Sequence, residues 1–201
     1  MIDKNEVIAF FDSLAAGWDA DMVRNEDVIR TILDNAGVRE GSRVLDVACG
    51  TGVLIPDYLS RGVSQIVAVD ISPEMIAVAK GKFNDSRISF VCADAETGDF
   101  GKDFDCIVIY NAFPHFSDPE ALISNLSSML VPGGRLTVAH GMSRERINLH
   151  HGGKARTISN GLPEAKKLAG LFSQYLDVTA VVSDDRMYQV CGTAAARLNH
   201  F

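Results

Sequence analysis

The chain has 201 residues, 47% of them hydrophobic, which is enough for one domain with a sizeable core and too few for two full domains. Its 26 acidic against 19 basic residues give a formal charge of −7 with no long basic run, which excludes the basic stripe expected of a nucleic-acid binder. No apolar stretch approaches the roughly 18 residues of a membrane span. Charges within Met1 to Phe10 also interrupt the apolar core that a signal peptide needs, so a soluble, cytoplasmic protein with no membrane partner is expected. Cys49, Cys92, Cys106 and Cys191 are scattered without a C-x-x-C pair and read as reduced thiols, mostly in strands.

Val7, Phe10, Phe11 and Leu14 follow helical spacing, and so do Val28, Ile29, Ile32, Leu33 and Ala36, with Gly37 placed to end the second helix. Between them Ala16-Gly17-Trp18-Asp19 is a breaker carrying the only tryptophan. From Arg43 onward the pattern predicts strands alternating with helices. Val44 to Val47 leads to a helix over Val53 to Ser60, Gln65 to Asp70 to one over Pro73 to Phe83, and Asp105 to Tyr110 to one over Pro119 to Leu130, with Ile88 to Cys92 as a further strand. This alternation argues for a parallel sheet with helices on both faces. Ser72-Pro73 and Asp118-Pro119 mark helix starts, each a capping side chain followed by proline at the first helical position. Val131-Pro132-Gly133-Gly134 is a turn into a strand over Arg135 to His140. A helix near Pro163 to Tyr175 and strands near Val178 to Ser183 and Met187 to Ala194 follow, the strands joined by a hairpin turn at Ser183-Asp184-Asp185-Arg186. Gly141 to Gly161 fits no period, and a loop of about twenty residues in a compact domain is usually functional or mobile.

The most informative run is Val44-Leu45-Asp46-Val47-Ala48-Cys49-Gly50-Thr51-Gly52, a buried strand opening onto a glycine loop. A strand, glycine turn and helix in that order place backbone N–H groups around a polar ligand. The dinucleotide version of the device wants glycine or alanine where Ile55 stands, so that fingerprint is incomplete. Three further apolar strands end in polar groups: Ile66-Val67-Ala68-Val69-Asp70, Ile88-Ser89-Phe90-Val91-Cys92-Ala93-Asp94-Ala95, and Phe104-Asp105-Cys106-Ile107-Val108-Ile109-Tyr110-Asn111. All four ends are expected at the carboxyl edge of the sheet, where doubly wound folds bind ligands. An acid at Asp70 can accept hydrogen bonds from both hydroxyls of a ribose lying across the loop.

In this order the motifs resemble those of the class I S-adenosylmethionine-dependent methyltransferases of small molecules. The match runs from about Arg43 to His140, and Leu130-Val131-Pro132-Gly133-Gly134-Arg135-Leu136 corresponds to the family's late turn. The resemblance implies an α/β, Rossmann-like methyltransferase fold: a seven-stranded, mostly parallel sheet with a C-terminal antiparallel hairpin and helices on both faces, forming one domain over residues 1–201. It implies S-adenosylmethionine as cofactor and a small-molecule acceptor as partner. Asp94 and the backbone N–H of Ala95 would serve the adenine, Asp70 the ribose, and the loop from Asp46 through Ala48, Cys49 and Gly50 to Gly52, with Asn111, the methionine moiety. Ala48 departs from the glycine that the family often has. Ile71, beside the ribose acid, is added as a residue that could line the adenine or belong to the core. Phe10, Phe11 and Trp18 read first as packing residues, yet the resemblance also makes residues 1–37 a helical lid, with Trp18 able to reach ligand.

Catalysis requires alignment of acceptor and methyl group in a dry pocket, with a general base only for some acceptors. His140, at the end of the fifth strand, is the first candidate for that base and His115, in the segment after Asn111, the second. His150 and His151 are solvated loop residues or, with His140, a metal site for which no ligand spacing speaks, so no metal is expected. Residues 141–161 are the expected substrate-side loop, in which Arg144 or Arg146 could clamp an anion or pair with Glu145 and surface acids. Two other functions share part of the pattern. A nucleoside-binding module without chemistry would keep Asp46, Asp70 and Asp94, whereas a nicotinamide-dependent oxidoreductase would leave Asp94 unexplained. The acceptor atom and the oligomeric state are not readable from the chain.

Overall fold

The computed structural model describes residues 2–20, 22–150 and 158–196. Seven strands form one sheet: β1 (Arg43–Val47), β2 (Gln65–Asp70), β3 (Ile88–Cys92), β4 (Phe104–Tyr110), β5 (Leu130–His140), β6 (Asp177–Ser183) and β7 (Tyr188–Thr193). Their spatial order is β3-β2-β1-β4-β5-β7-β6. The first five run parallel, and β7 pairs antiparallel with both β5 and β6, so the expected mostly parallel sheet with a closing hairpin is what forms. Strands are added to one side of β1 as far as β3 and then to its other side from β4, so the carboxyl ends of β1, β2 and β4 flank a switch point suited to ligand binding.

One face of the sheet is covered by α2 (Glu26–Asn35), α3 (Ile55–Ser60) and α4 (Pro73–Lys82), whose Ile32, Tyr58 and Ile76 pack on Val44, Ile66 and Val108. The other carries α5 (Pro119–Ser127), α6 (Arg144–His150) and α7 (Ala165–Phe172), through Leu122, Ile147 and Phe172 against Ile107, Leu136 and Val138. Strand alternation explains both cores, since neighbouring residues of β4 and β5 face opposite layers. The capping read from sequence is present: Ser72 Oγ accepts from the Met75 N–H at 3.1 Å, and Asp118 Oδ1 from the Ala121 N–H at 2.9 Å. A first helix, α1 (Lys4–Leu14), is followed by a 3-10 turn (Ala15–Gly17) at the breaker.

Five features differ from the sequence reading, the first being α5, which ends at Ser127 rather than Leu130 because Leu130 already belongs to β5. α3 starts at Ile55 rather than Val53, because Gly52 is left-handed at φ +88° and the chain first closes a turn from the Gly52 carbonyl to the Ile55 N–H. β5 starts at Leu130 rather than Arg135: Gly133 and Gly134 exchange backbone hydrogen bonds with Ala194, extending the ladder across the expected turn. α7 is shorter than expected, since Glu164 is extended and the chain turns after Phe172. The 141–161 segment is not wholly irregular. α6 occupies its first half, begun by Ser143, whose carbonyl and hydroxyl accept from Ile147 and Arg146. No helix among the described residues is long and apolar enough to cross a membrane, and all four cysteines are unpaired.

Candidate active site

The loop leaving β1 is built on positive backbone angles. Ala48 (φ +55°), Gly50 (φ +53°) and Gly52 (φ +88°) are all left-handed. Ala48 therefore adopts a conformation that glycine takes without penalty and that costs a side-chain-bearing residue about 1–2 kcal/mol. The Cys49 N–H donates to the Val69 carbonyl at 2.9 Å, and the Gly50 N–H donates to Asp70 Oδ2 at 2.8 Å, so β2 holds the loop from beside it. The two glycines serve different ends. A Cβ on Gly50 would meet nothing within 4 Å, whereas one on Gly52 would lie 2.6 Å from the Phe83 ring and 2.9 Å from Ile55 Cδ1.

Above the loop is a cavity of about 460 Å³, within the few-hundred to thousand Å³ typical of small-molecule sites. Ala48, Cys49, Gly50, Asp70, Ile71, Asp94, Ala95 and Asn111 all line it, so eight of the ten residues read as cofactor-binding come together on one wall. Asp46 and Gly52 stand behind that wall rather than on it. Asp70, 7% exposed, also accepts from the Ser72 N–H at 2.9 Å through Oδ1, and burial pushes its pKa up against these bonds. Asp46 is more deeply placed at 2% exposure. Its Oδ1 receives the Tyr58 hydroxyl at 3.3 Å, while its Oδ2 has no hydrogen-bond partner among the described residues. Burial, with repulsion from Asp70, raises its pKa to about 7. Asn111 is left-handed (φ +57°) at the end of β4, and its side-chain oxygen accepts from the Gly141 N–H at 2.9 Å, joining two carboxyl-edge loops.

The N-terminal segment covers this cavity. Lys4, Val7, Phe11 and Trp18 line it, and the segment is tied down at three points. Lys4 Nζ bridges Asp94 and Glu96, Asp12 accepts from the Ser72 hydroxyl, and Asp19 accepts from Thr51 and Lys82.

Residues 44–134 match the family model of a methyltransferase domain. The chain is 33% identical over 139 residues to the malonyl-[acyl-carrier protein] O-methyltransferase of Acetivibrio thermocellus, the match covering 68% of this chain and 49% of that protein. It is 36% identical over 149 residues to a ubiquinone/menaquinone biosynthesis C-methyltransferase of Pseudomonas putida, covering 66% of this chain and 57% of that one. The chain belongs to the class I S-adenosylmethionine-dependent methyltransferases. It spans about half to three fifths of the length of these curated relatives. The fold is also that of the N-methyltransferase NodS of Bradyrhizobium japonicum, solved with S-adenosyl-L-homocysteine. There the TM-score is 0.72 at 16% identity, over 96% of this chain and 98% of that one.

Within this methyltransferase fold the two candidate histidines are placed differently. His115 lines the cavity, its ring edge-to-face with Phe11 at 5.0 Å, and its Nδ1 donates to the Ile158 carbonyl at 2.9 Å. With Nδ1 donating, Nε2 is the nitrogen able to take up a proton. His140 is 1% exposed, packed against Tyr188 at a ring distance of 6.0 Å, and does not line the cavity. Alternation along β5 is the reason, because it puts His140 on the same face as Val138, whose side chain lies in the core beneath α5 and α7. Arg144 donates to the Leu162 carbonyl at 3.0 Å, and neither it nor Arg146 lines the cavity. His151 lies outside the described residues, as does the rest of 151–157, and no cluster of metal-ligating residues occurs among the described ones.

Sequence reasoning missed Lys4, Arg24 and Glu96. Glu96, 6% exposed, accepts from the backbone N–H groups of Ser117 and Asp118 and from the Ser117 hydroxyl, which fixes the loop carrying His115. Arg24 donates to Glu26, to Asp57 and to the Val53 carbonyl, fixing the segment before α2 against α3. Apart from Glu26, beside Arg24, their partners are 20 or more positions distant in sequence, so almost no local signal pointed to them.

Proposed function

We propose that this chain binds S-adenosylmethionine in the cavity at the carboxyl edge of the sheet and transfers its methyl group to a small-molecule acceptor. The observation that carries the reading is the convergence of Gly50, Asp70, Asp94, Ala95 and Asn111 on one wall. The residues fit the group. Asp70 spends one hydrogen bond per oxygen on backbone N–H groups, so each oxygen keeps acceptor capacity for a ribose hydroxyl. Gly50 leaves its Cβ position open, permitting close approach of a ligand to the loop backbone. Asp94 and the Ala95 backbone would take the adenine edge, and Asn111 with residues 48–50 the methionine end.

Bound there, S-adenosylmethionine supplies a sulfonium-activated methyl group for in-line displacement. The protein's own contribution is alignment and exclusion of water. Phe11 and Trp18 roof the cavity, while Glu96 fixes the loop that presents His115. Where the acceptor must lose a proton, His115 Nε2 receives it. Residues 1–37 act as a lid on a single domain that includes 141–161 on the substrate side. The net charge of −7 supports a small acceptor over nucleic acid, and four unpaired cysteines support a cytoplasmic setting.

Calorimetric titration with S-adenosylhomocysteine tests the cofactor site. Asp70→Ala should weaken binding by about 1.5–3 kcal/mol through loss of charge-assisted hydrogen bonds. Unchanged affinity would place the cofactor elsewhere, and thermal stabilisation by NAD in place of S-adenosylhomocysteine would refute the reading.

A further inference from the structure

The cavity-lining residues not assigned to the cofactor have a chemistry of their own. From His115 the rings of Phe11 and Trp18 follow edge to face, at centroid distances of 5.0 and 5.7 Å, and form a continuous aromatic wall. Apolar lining also continues to solvent: Trp18, Val23 and Met142 are 38%, 95% and 38% exposed and all belong to the cavity. Exposed apolar side chains gathered at an opening mark a surface that a ligand covers.

Charge points the same way. The lysine and the arginine among the described lining residues are already matched, Lys4 by Asp94 and Glu96, and Arg24 by Asp57 and Glu26. An anionic acceptor would have to take a cation from carboxylates that would then be left uncompensated. We propose that the methyl acceptor is an uncharged molecule with an apolar body, held against Phe11 and Trp18, and with an apolar extension running out over Val23 and Met142. This rests on the reading of the cavity as a methyl-transfer site.

Trp18 is the chain's single tryptophan, so its emission reports on this wall alone. With S-adenosylhomocysteine binding first measured by calorimetry, the saturated protein is titrated at pH 7 with 4-alkylphenols and with the ionised 4-alkylbenzoates of equal chain length. The phenols should change Trp18 emission, with affinity rising about threefold to fourfold per added methylene, and the benzoates should bind at least tenfold more weakly. Val23→Asp and Met142→Asp, both at exposed positions, should weaken 4-hexylphenol several-fold and leave phenol itself unchanged. Equal or tighter binding of the benzoates, no dependence on chain length, or no response to any phenol would overturn the proposal while leaving cofactor binding intact. Absence of S-adenosylhomocysteine binding would instead remove the methyl-transfer reading, and this inference with it.

Discussion

Asp46 offers the sharpest physical test of the site. The carboxyl is 2% exposed, has one long hydrogen bond from Tyr58 at 3.3 Å, and has an Oδ2 with no partner among the described residues. Burial is the main cause of its pKa of about 7, against an ordinary 3.8, and Asp70 adds repulsion. The folded protein therefore holds a proton that the unfolded chain releases, so stability falls as pH rises from about 4 through about 7. With 1.36 kcal/mol per factor of ten in acidity, the whole effect approaches about 4 kcal/mol, of which about 2–3 kcal/mol develops between pH 5 and pH 8. Asp46→Asn removes the titration and keeps the shape. Its stability relative to the wild type should rise by that amount over the interval. For a chain of this size this corresponds to a relative shift in melting temperature of about 5–10 °C. Differential scanning calorimetry or fluorimetry of both proteins at pH 5, 6, 7 and 8, without ligand, measures it, and other titrating groups cancel in the difference. Parallel pH profiles for the two proteins would show that Asp46 is ionised throughout and refute the argument.

The two loop glycines should separate stability from binding. Gly52→Ala, crowded by Phe83 and Ile55 at a left-handed position, should cost about 2–4 kcal/mol of stability. Gly50→Ala should cost less stability and more S-adenosylhomocysteine affinity, and calorimetry giving the reverse order would contradict the assignment. Lys4→Met removes one of the three tethers of the N-terminal segment. Since a partly exposed pair contributes about 0.5–1 kcal/mol, S-adenosylhomocysteine should dissociate about twofold to fivefold faster by stopped-flow Trp18 fluorescence, with a flatter salt dependence. An unchanged rate and slope would remove Lys4 from lid closure. With an acceptor that must lose a proton, His115→Asn should lower kcat by about 10²-fold or more and leave S-adenosylhomocysteine affinity unchanged. Retention of full kcat would mean that no base acts there.

Much of the fold was legible because its signals are local. Apolar runs of β length, Ser72-Pro73 and Asp118-Pro119 at helix starts, and glycines at the first loop each act within a few residues, and the structure carries them. The cavity wall was legible for a related reason, since a parallel sheet brings successive strand ends to one edge. What failed was local as well. The 141–161 segment shows no sequence period because α6 has only Ile147 to bury.

The chain order of Asp46, Gly50, Asp70, Asp94 and Asn111 determined by itself that these residues share an edge, because strand ends and loop spacing are encoded by neighbouring residues. Which histidine faces the cavity was decided only by tertiary structure. His140 and His115 both follow strands at that edge, yet alternation and packing against Tyr188 bury one, while the Glu96 and Ile158 contacts hold the other at the wall. The anchoring of the N-terminal segment to Asp94, Ser72 and Thr51 was likewise invisible in sequence, since it joins side chains 32 to 90 positions apart. Long-range pairings of that kind depend on where the core has already placed each backbone, and no local pattern records them.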